Sequence, residues 1–273
     1  MNTNYTVIIN VRNGEKYLIR AIDQISQQTI RPSKVIIFNN ASHDNTSKLI
    51  KKIISKNPKL YIYKRSQKIL TLYKARNLAL NFAKTKYVCF LDVDDLWNKK
   101  KSEKQLVLLT QNKNAIACLT QYKKVLEHRF NHFEFPNSVC DIDHAIESNF
   151  YSFIKKYNIH FSSIMFNRIN LLTTLGKNPF NPRLTILGDI DLFLRIFGLR
   201  KVILLKENMS SYIFHDSNTG YINYYRITFE SLIVAFKLLS KAKILKAAYI
   251  IYTYNIKYFT FIISKLKSNN KRC

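Results

Sequence analysis

The chain is short of glycine, acid and cysteine, and each shortage removes a class of function. Among 273 residues there are five glycines, Gly14, Gly176, Gly188, Gly198 and Gly220. No two of them are spaced as a G-x-G-x-x-G fingerprint or a Walker loop, so classical dinucleotide and P-loop phosphate binding are not expected. The four cysteines, Cys89, Cys118, Cys140 and Cys273, are far apart and form no C-x-x-C pair. That spacing suits inert thiols in a reducing compartment better than a disulfide framework or a zinc site. No G-x-S-x-G elbow is present, which removes a serine hydrolase. Met1 to Tyr5 has neither a basic nor an apolar leader region, so the expected location is cytoplasmic. The greasiest stretch, Ala247 to Ile263, is broken by Thr253, Asn255, Lys257 and Thr260, short of the ~20 apolar residues a spanning helix needs.

Acid is the scarcest charge: 17 Asp and Glu stand against 44 Lys and Arg, a formal net charge of +27. A field of that size favours anionic partners, whether nucleotides, lipid head groups, nucleic acid or acidic polysaccharide. Hydrophobic residues at 47% leave enough material for a large core, in one big domain or two small ones.

What is present is a βα rhythm. The runs Val7–Ile9, Val35–Phe38, Leu60–Tyr63 and Tyr87–Leu91 end 29, 25 and 28 residues apart, the length of a strand plus a crossover helix. The fold class expected is therefore α/β, a mostly parallel sheet flanked by helices. Tyr17, Leu18, Ala21, Ile22 and Ile25 form one apolar helical stripe, and Ala75, Leu78, Ala79, Phe82 and Ala83 another. Asp44 or Asn45 suits a helix cap. A helix is expected over 99–111, followed by an apolar run at 115–119, with strands at 161–166, 202–205 and 212–214 and a short helix at 189–197. The stretch 123–158 shows weak periodicity and three histidines, and reads as substrate-specific loops.

The most informative segment is Cys89-Phe90-Leu91-Asp92-Val93-Asp94-Asp95-Leu96-Trp97, an apolar strand running into three carboxylates. Ligands of open α/β sheets bind beyond the carboxyl ends of strands. Acids two apart on an extended chain point the same way and can share one hard divalent cation. In a protein this basic, a metal diphosphate explains such a cluster. The plainer alternative is that Asp94 or Asp95 caps the next helix. His128 and His132 have i, i+4 spacing but no third ligand. A basic nucleic-acid-binding protein would also fit the charge, yet has no use for acids at a strand end, and nucleic acid is not expected as a partner.

With those residues in view, the chain resembles glycosyltransferase family 2, with the GT-A, Rossmann-like fold, over about residues 5–220. The resemblance rests on Val7 to Leu18, Gln28-Thr29, Pro32, Val35 to Asp44, Ala75-Arg76-Asn77, Phe90 to Trp97 and Gly188-Asp189-Ile190-Asp191-Leu192, in family order. It implies a nucleotide-sugar donor, a UDP-sugar first, a saccharide or glycolipid acceptor, and a divalent cation, Mn or Mg. Matched position by position, it implies Asp189 as general base and Val11, Asn40, Arg76 and Asp92 on the donor. Asp94, Asp95 and His215 are implied for the metal. The family's usual Pro-Thr-Tyr is here Asn10-Val11-Arg12, its Asp-Asp is Asn39-Asn40, and the acid before the base is Gly188. Those departures bear on donor identity, and they leave a catalytically inactive assembly partner as an alternative. Inverting transfer in bacterial surface polysaccharide or lipooligosaccharide synthesis is the implied activity.

After Gly220 the character changes. Residues 221–273 hold ten Lys or Arg against the single acid Glu230, with eleven Tyr or Phe. The expected division is a catalytic domain over 1–220 and a basic, aromatic-rich helical appendage over 221–273. Such a mixture suits peripheral contact with an anionic membrane surface.

Overall fold

A computed structural model describes residues 4–127, 142–143, 159–197, 199–214 and 224–239. Nine described strands form one sheet: β1 (Tyr5–Val11), β2 (Lys34–Asn39), β3 (Tyr61–Arg65), β4 (Tyr87–Phe90), β5 (Leu96–Trp97), β6 (Ala115–Leu126), β7 (Ile142–Asp143), β8 (Ile164–Asn167) and β9 (Lys201–Phe214). Their order is β3-β2-β1-β4-β8-β6-β9-β5, with β7 also on β9. The half containing β1 to β4 is all parallel. Beyond β4 the sheet is mixed: β8 runs antiparallel to both β4 and β6, while β6 and β9 are parallel.

Seven described helices flank it: α1 (Leu18–Ser26), α2 (Thr46–Lys56), α3 (Leu72–Leu80), α4 (Lys101–Gln111), α5 (Arg168–Leu175), α6 (Gly188–Ile196) and α7 (Tyr224–Leu239). The central strands are covered on both faces, which is why they read as unbroken apolar runs. Alternate residues divide between two cores. Ile8, Ile36, Val88 and Phe90 pack on the α3, α5 and α6 side. Val7, Ile9, Val35, Ile37 and Cys89 pack on the α1, α2 and α4 side. Edge strand β3 exposes Lys64 and Arg65, charges that discourage further pairing.

Several expectations need correction. The two strands expected at 202–205 and 212–214 are one, β9, whose pairing with β6 is kept in step by register shifts near Gln121. Bulges of this kind absorb the polar break between the two apolar runs. Residues 161–163 form a 3-10 turn before β8 rather than the start of a strand. Leu78 lies on the outer side of α3, 39% exposed, because Tyr73, Arg76 and Leu80 take the inner face instead. In helix α7, Val234 and Ala235 belong to the same core as Phe193 and Leu204. Residues 240–273, His128 and His132 lie outside the described residues.

One buried amide ties α3 to the loop before α6. Asn77 Nδ2 donates to the Phe180 carbonyl at 2.7 Å, and Asn77 Oδ1 accepts from the Phe180 N–H at 3.0 Å. Asn77→Ala strands both backbone groups in the core, so chemical denaturation is expected to show a loss of about 2–4 kcal/mol.

Candidate functional site

The site is built where β4 ends. The chain reverses at once, Asp95 N–H donating to the Asp92 carbonyl at 3.0 Å, and passes into β5. That reversal sorts the three acids. Asp92 and Asp94 stay half-buried at the carboxyl edge of the sheet, while Asp95 is buried. Helix α1 holds the turn from behind. Arg20 donates to the Asp94 carbonyl at 2.7 Å, and Gln24 donates to the Asp95 carbonyl and accepts from the Trp97 N–H. Gln28 spans Asn98 and Ser102 one turn later.

Asp95 faces inward onto His160 and Ser162. His160 Nε2 lies 2.8 Å from Asp95 Oδ2, which also accepts from Ser162 Oγ. Ser162 Oγ accepts from the Asp92 N–H at 3.0 Å, so one hydroxyl links the first and last acid of the motif. Burial pushes the Asp95 carboxyl upward against the pull of His160. Asp95, expected among the cation ligands, is buried with its Oδ2 engaged by His160 and Ser162. Neither His160 nor Ser162 was visible as a site residue in the sequence. They come from the 3-10 turn and its entry, 70 residues on, with no motif around them.

Arg76 is the site's buried cation. It projects from the inner face of α3 and is 1% exposed. One terminal nitrogen donates to both oxygens of Asp92, at 2.7 and 3.0 Å. Its guanidinium lies 3.6 Å from the Phe161 ring centroid and 5.0 Å from that of Tyr73. Phe90, Phe166 and Phe180 complete an aromatic wall in edge and tilted contacts. Arg76, expected on the donor, is paired with Asp92 and packed against the Phe161 ring.

Asp189 comes to the same place from α6. Its N–H donates to Tyr73 Oη at 2.9 Å, and its Oδ1 accepts from the Ile190 N–H at 2.7 Å. Burial pushes its carboxyl up to about 6. The Ile190 N–H and Arg76 pull it down, and the Asp92 charge pushes it up. Asp191 is spent elsewhere, paired with Arg195 at 2.8 Å. The glycine at 188 has a concrete reason: a Cβ there would lie 2.3 Å from the Tyr73 ring. Tyr73 fills the space a side chain would need and hydrogen-bonds Asp189 from it.

The first two βα loops are stitched together beside this site. Asn13, in left-handed backbone at φ 49°, accepts from the His43 N–H, and the Gly14 N–H donates to Thr46 Oγ1. Asp44 accepts from the Thr46 N–H, while the N-cap position itself is Asn45, whose side chain makes no capping bond. Asn39 holds Ser42 and Ser47. Asn40, expected on the donor base, gives its amide to another segment: Nδ2 donates to the Leu70 carbonyl and Oδ1 accepts from the Leu70 N–H and Ser66 Oγ. Val11 is buried and its carbonyl accepts from the Asn40 N–H at 2.8 Å. Arg12 is exposed, and His215 lies outside the described residues.

The chain belongs to glycosyl transferase family 2, whose sequence profile matches residues 6–183. It is 30% identical over 166 residues to the minor teichoic acid biosynthesis protein GgaB of Bacillus subtilis, covering 57% of this chain and 18% of that protein. The chain spans 17–20% of the length of the first curated relatives it matches. In structure it is similar to S. aureus TarS 1–349, solved with UDP-GlcNAc, at a TM-score of 0.69 and 17% identity, over 95% of this chain and 73% of that one. It is also similar to the mannosyltransferase PcManGT of Pyrobaculum calidifontis, solved with GDP-Man and Mn2+, at a TM-score of 0.63 and 17% identity, over 94% and 74%. At those identities the likeness establishes the fold, the α/β architecture shared by these transferases.

The Gly188–Tyr73 contact is open to a double-mutant cycle. Gly188→Ala should destabilise by about 1–3 kcal/mol through overpacking. Combined with Tyr73→Leu, the loss should fall short of the sum by on the order of 1 kcal/mol in urea denaturation.

Proposed function

We propose that this glycosyl transferase family 2 chain moves a sugar from a nucleotide-diphosphate donor to a hydroxyl of a saccharide or lipid-linked saccharide, with inversion at the anomeric carbon. The observation that carries the reading is Arg76, one buried cation paired with Asp92 and lying against Tyr73, whose hydroxyl accepts from the Asp189 N–H. It gathers acids from two distant parts of the sequence at one sheet edge. UDP-GlcNAc and GDP-Man in the two structural neighbours support a nucleotide sugar as donor, a UDP-sugar first. The teichoic acid role printed for the Bacillus relative supports surface polysaccharide assembly, and lipooligosaccharide is a further candidate acceptor.

In this reading Asp189 is the general base. It takes the proton of the acceptor hydroxyl as that oxygen bonds to the anomeric carbon, and the bond to the diphosphate breaks with its electron pair leaving on the diphosphate. Displacement from the face opposite the leaving group inverts configuration, and no covalent sugar intermediate forms. A carboxyl held at about 6 is ionised at neutral pH and basic enough to receive that proton. Asp92, fixed by Arg76, and Val11, at the end of β1, border the donor.

The residues fit a divalent cation. Asp94 is half-buried on the outer side of the turn, and the Asp92 side chain is 32% exposed. Among the described residues no three His, Cys, Asp or Glu side chains form a ready-made cation cage. One or two carboxylates completed by substrate phosphates and water is the arrangement Mg2+ and Mn2+ take at phosphate sites. Asp94, with Asp92, would hold the ion, which would supply charge neutralisation at the diphosphate.

Among the described residues no helix is long and apolar enough to cross a membrane. Helix α7 does carry an outward stripe of Phe229, Leu232 and Phe236, all exposed, ahead of the basic tail. That pairing supports peripheral contact with the cytoplasmic face of an anionic membrane, where a lipid-linked acceptor is presented.

Calorimetric titration with UDP and GDP, with and without Mn2+, tests the donor site. Asp94→Ala should weaken the Mn2+-dependent affinity roughly tenfold or more, and Asp189→Asn should leave it unchanged. In a donor screen Asp189→Asn should cut kcat by roughly 10²–10⁴-fold. Equal loss of binding in both variants would remove Asp189 from the base role.

The raised carboxyl also fixes two pH dependences. Wild-type kcat should fall as pH drops through about 6, as Asp189 is protonated. Because the folded state holds that proton more tightly than the unfolded chain, ionisation costs stability as pH rises from about 4 to 6. Asp189→Asn should therefore stabilise the fold at pH 7.5 by on the order of 1 kcal/mol, and the gain should vanish near pH 4, measured by thermal unfolding.

A further inference from the structure

Three consecutive backbone N–H groups just ahead of α6 converge on one side chain of α7. Glu230 Oε1 accepts from Thr185 at 2.7 Å, and Glu230 Oε2 accepts from Ile186 and from Leu187, each at 2.8 Å. Glu230 is 1% exposed, and Arg226 one turn earlier donates to it at 3.2 Å. A carboxylate taken out of water costs several kcal/mol unless its oxygens are satisfied. Three amides and a guanidinium satisfy these. Helix packing alone does not require such an acid, since Val234 and Ala235 already seat α7 in the core.

The segment that Glu230 grips leads directly into Gly188 and Asp189. Gly188 opens α6 between that segment and Asp189. Glu230 takes the amides before Gly188, and Tyr73 takes the amide after it. Both Asp189 and Glu230 lie beyond residues 6–183, the span matched by the family.

We propose that Glu230 is a positioning residue for Asp189, through which α7 sets where the base carboxylate stands. The inference rests on Asp189 acting as the base. The two ideas can fail separately, because restraint of the backbone is measurable without turnover. Glu230 does not touch the acceptor; it acts through the 185–187 backbone.

The test uses the full chain with Glu230→Gln, which keeps the size of the side chain but replaces one acceptor oxygen with an NH2 group facing amide donors. Hydrogen exchange across 184–190 should quicken roughly tenfold or more. With a nucleotide sugar that turns over in the donor screen, kcat should fall roughly tenfold or more, while donor KM and UDP–Mn2+ affinity stay within about twofold. Val234→Ala, which loosens α7 without removing the carboxylate, should lower Tm yet keep kcat within about twofold. Unchanged exchange in Glu230→Gln, parallel loss of kcat and UDP affinity, or equal loss of kcat in Val234→Ala would overturn the proposal. If Glu230→Gln does not fold, Glu230→Asp, which withdraws the charge by one methylene, is held to the same readouts. Full turnover in Asp189→Asn would instead remove the base reading and leave the exchange result standing.

Discussion

A guanidinium enclosed by aromatic rings is the constraint on which this architecture turns. Arg76 cannot be left unpaired inside the fold, because breaking a buried ion pair costs roughly 3–5 kcal/mol. Its position dictates its company. Asp92 must face it from the end of β4, Phe161 must cover it from the turn before β8, and Tyr73 must flank it from the preceding turn of α3. Those partners come from across the sequence, so satisfying one charge brings together the end of β4, the 161–163 turn and the start of α6. The Ile190 N–H and the same charge lower the Asp189 carboxyl that burial raises.

Three of the substituted family positions, Asn39, Asn40 and Gly188, each have a structural partner. Asn39 organises the β2–α2 turn through Ser42 and Ser47. Asn40 binds the 66–70 loop in both directions across one amide, which an aspartate could not do because it has no N–H to give. Gly188 makes room for Tyr73, and Tyr73 replaces whatever a side chain there would contribute by hydrogen-bonding Asp189 itself. Each of these three positions is thereby fitted into its local packing.

Much of the fold was legible because its signals are local. Four apolar runs at crossover spacing gave the parallel half of the sheet, and the stripe through Leu18, Ala21 and Ile25 gave α1. The acids at the end of β4 and at Asp189 were legible as a motif in order. The remainder depends on contacts that no local pattern carries. Continuity of β9 is decided by its pairing with β6 across a bulge, although its own sequence alternates between apolar and polar stretches. Leu78 looked like a core residue on helical spacing, but a polar side chain, Arg76, claims the inner face because its partner lies there. Asp95 seemed equivalent to Asp92 and Asp94 in sequence. A single tight turn and the distant His160 set it apart. Glu230, the lone acid of a basic tail, stood out by composition, yet nothing local linked it to the approach to Asp189.

The decisive measurement is the anomalous scattering of Mn2+ in crystals of this chain grown with UDP. The expected result is a single peak within coordinating distance of Asp94 and the diphosphate, with Asp92 still paired to Arg76 and Asp95 still on His160. A cation seated between Asp95 and His160, or a nucleotide bound away from Asp92 with Asp189 facing no part of it, would contradict the assignment.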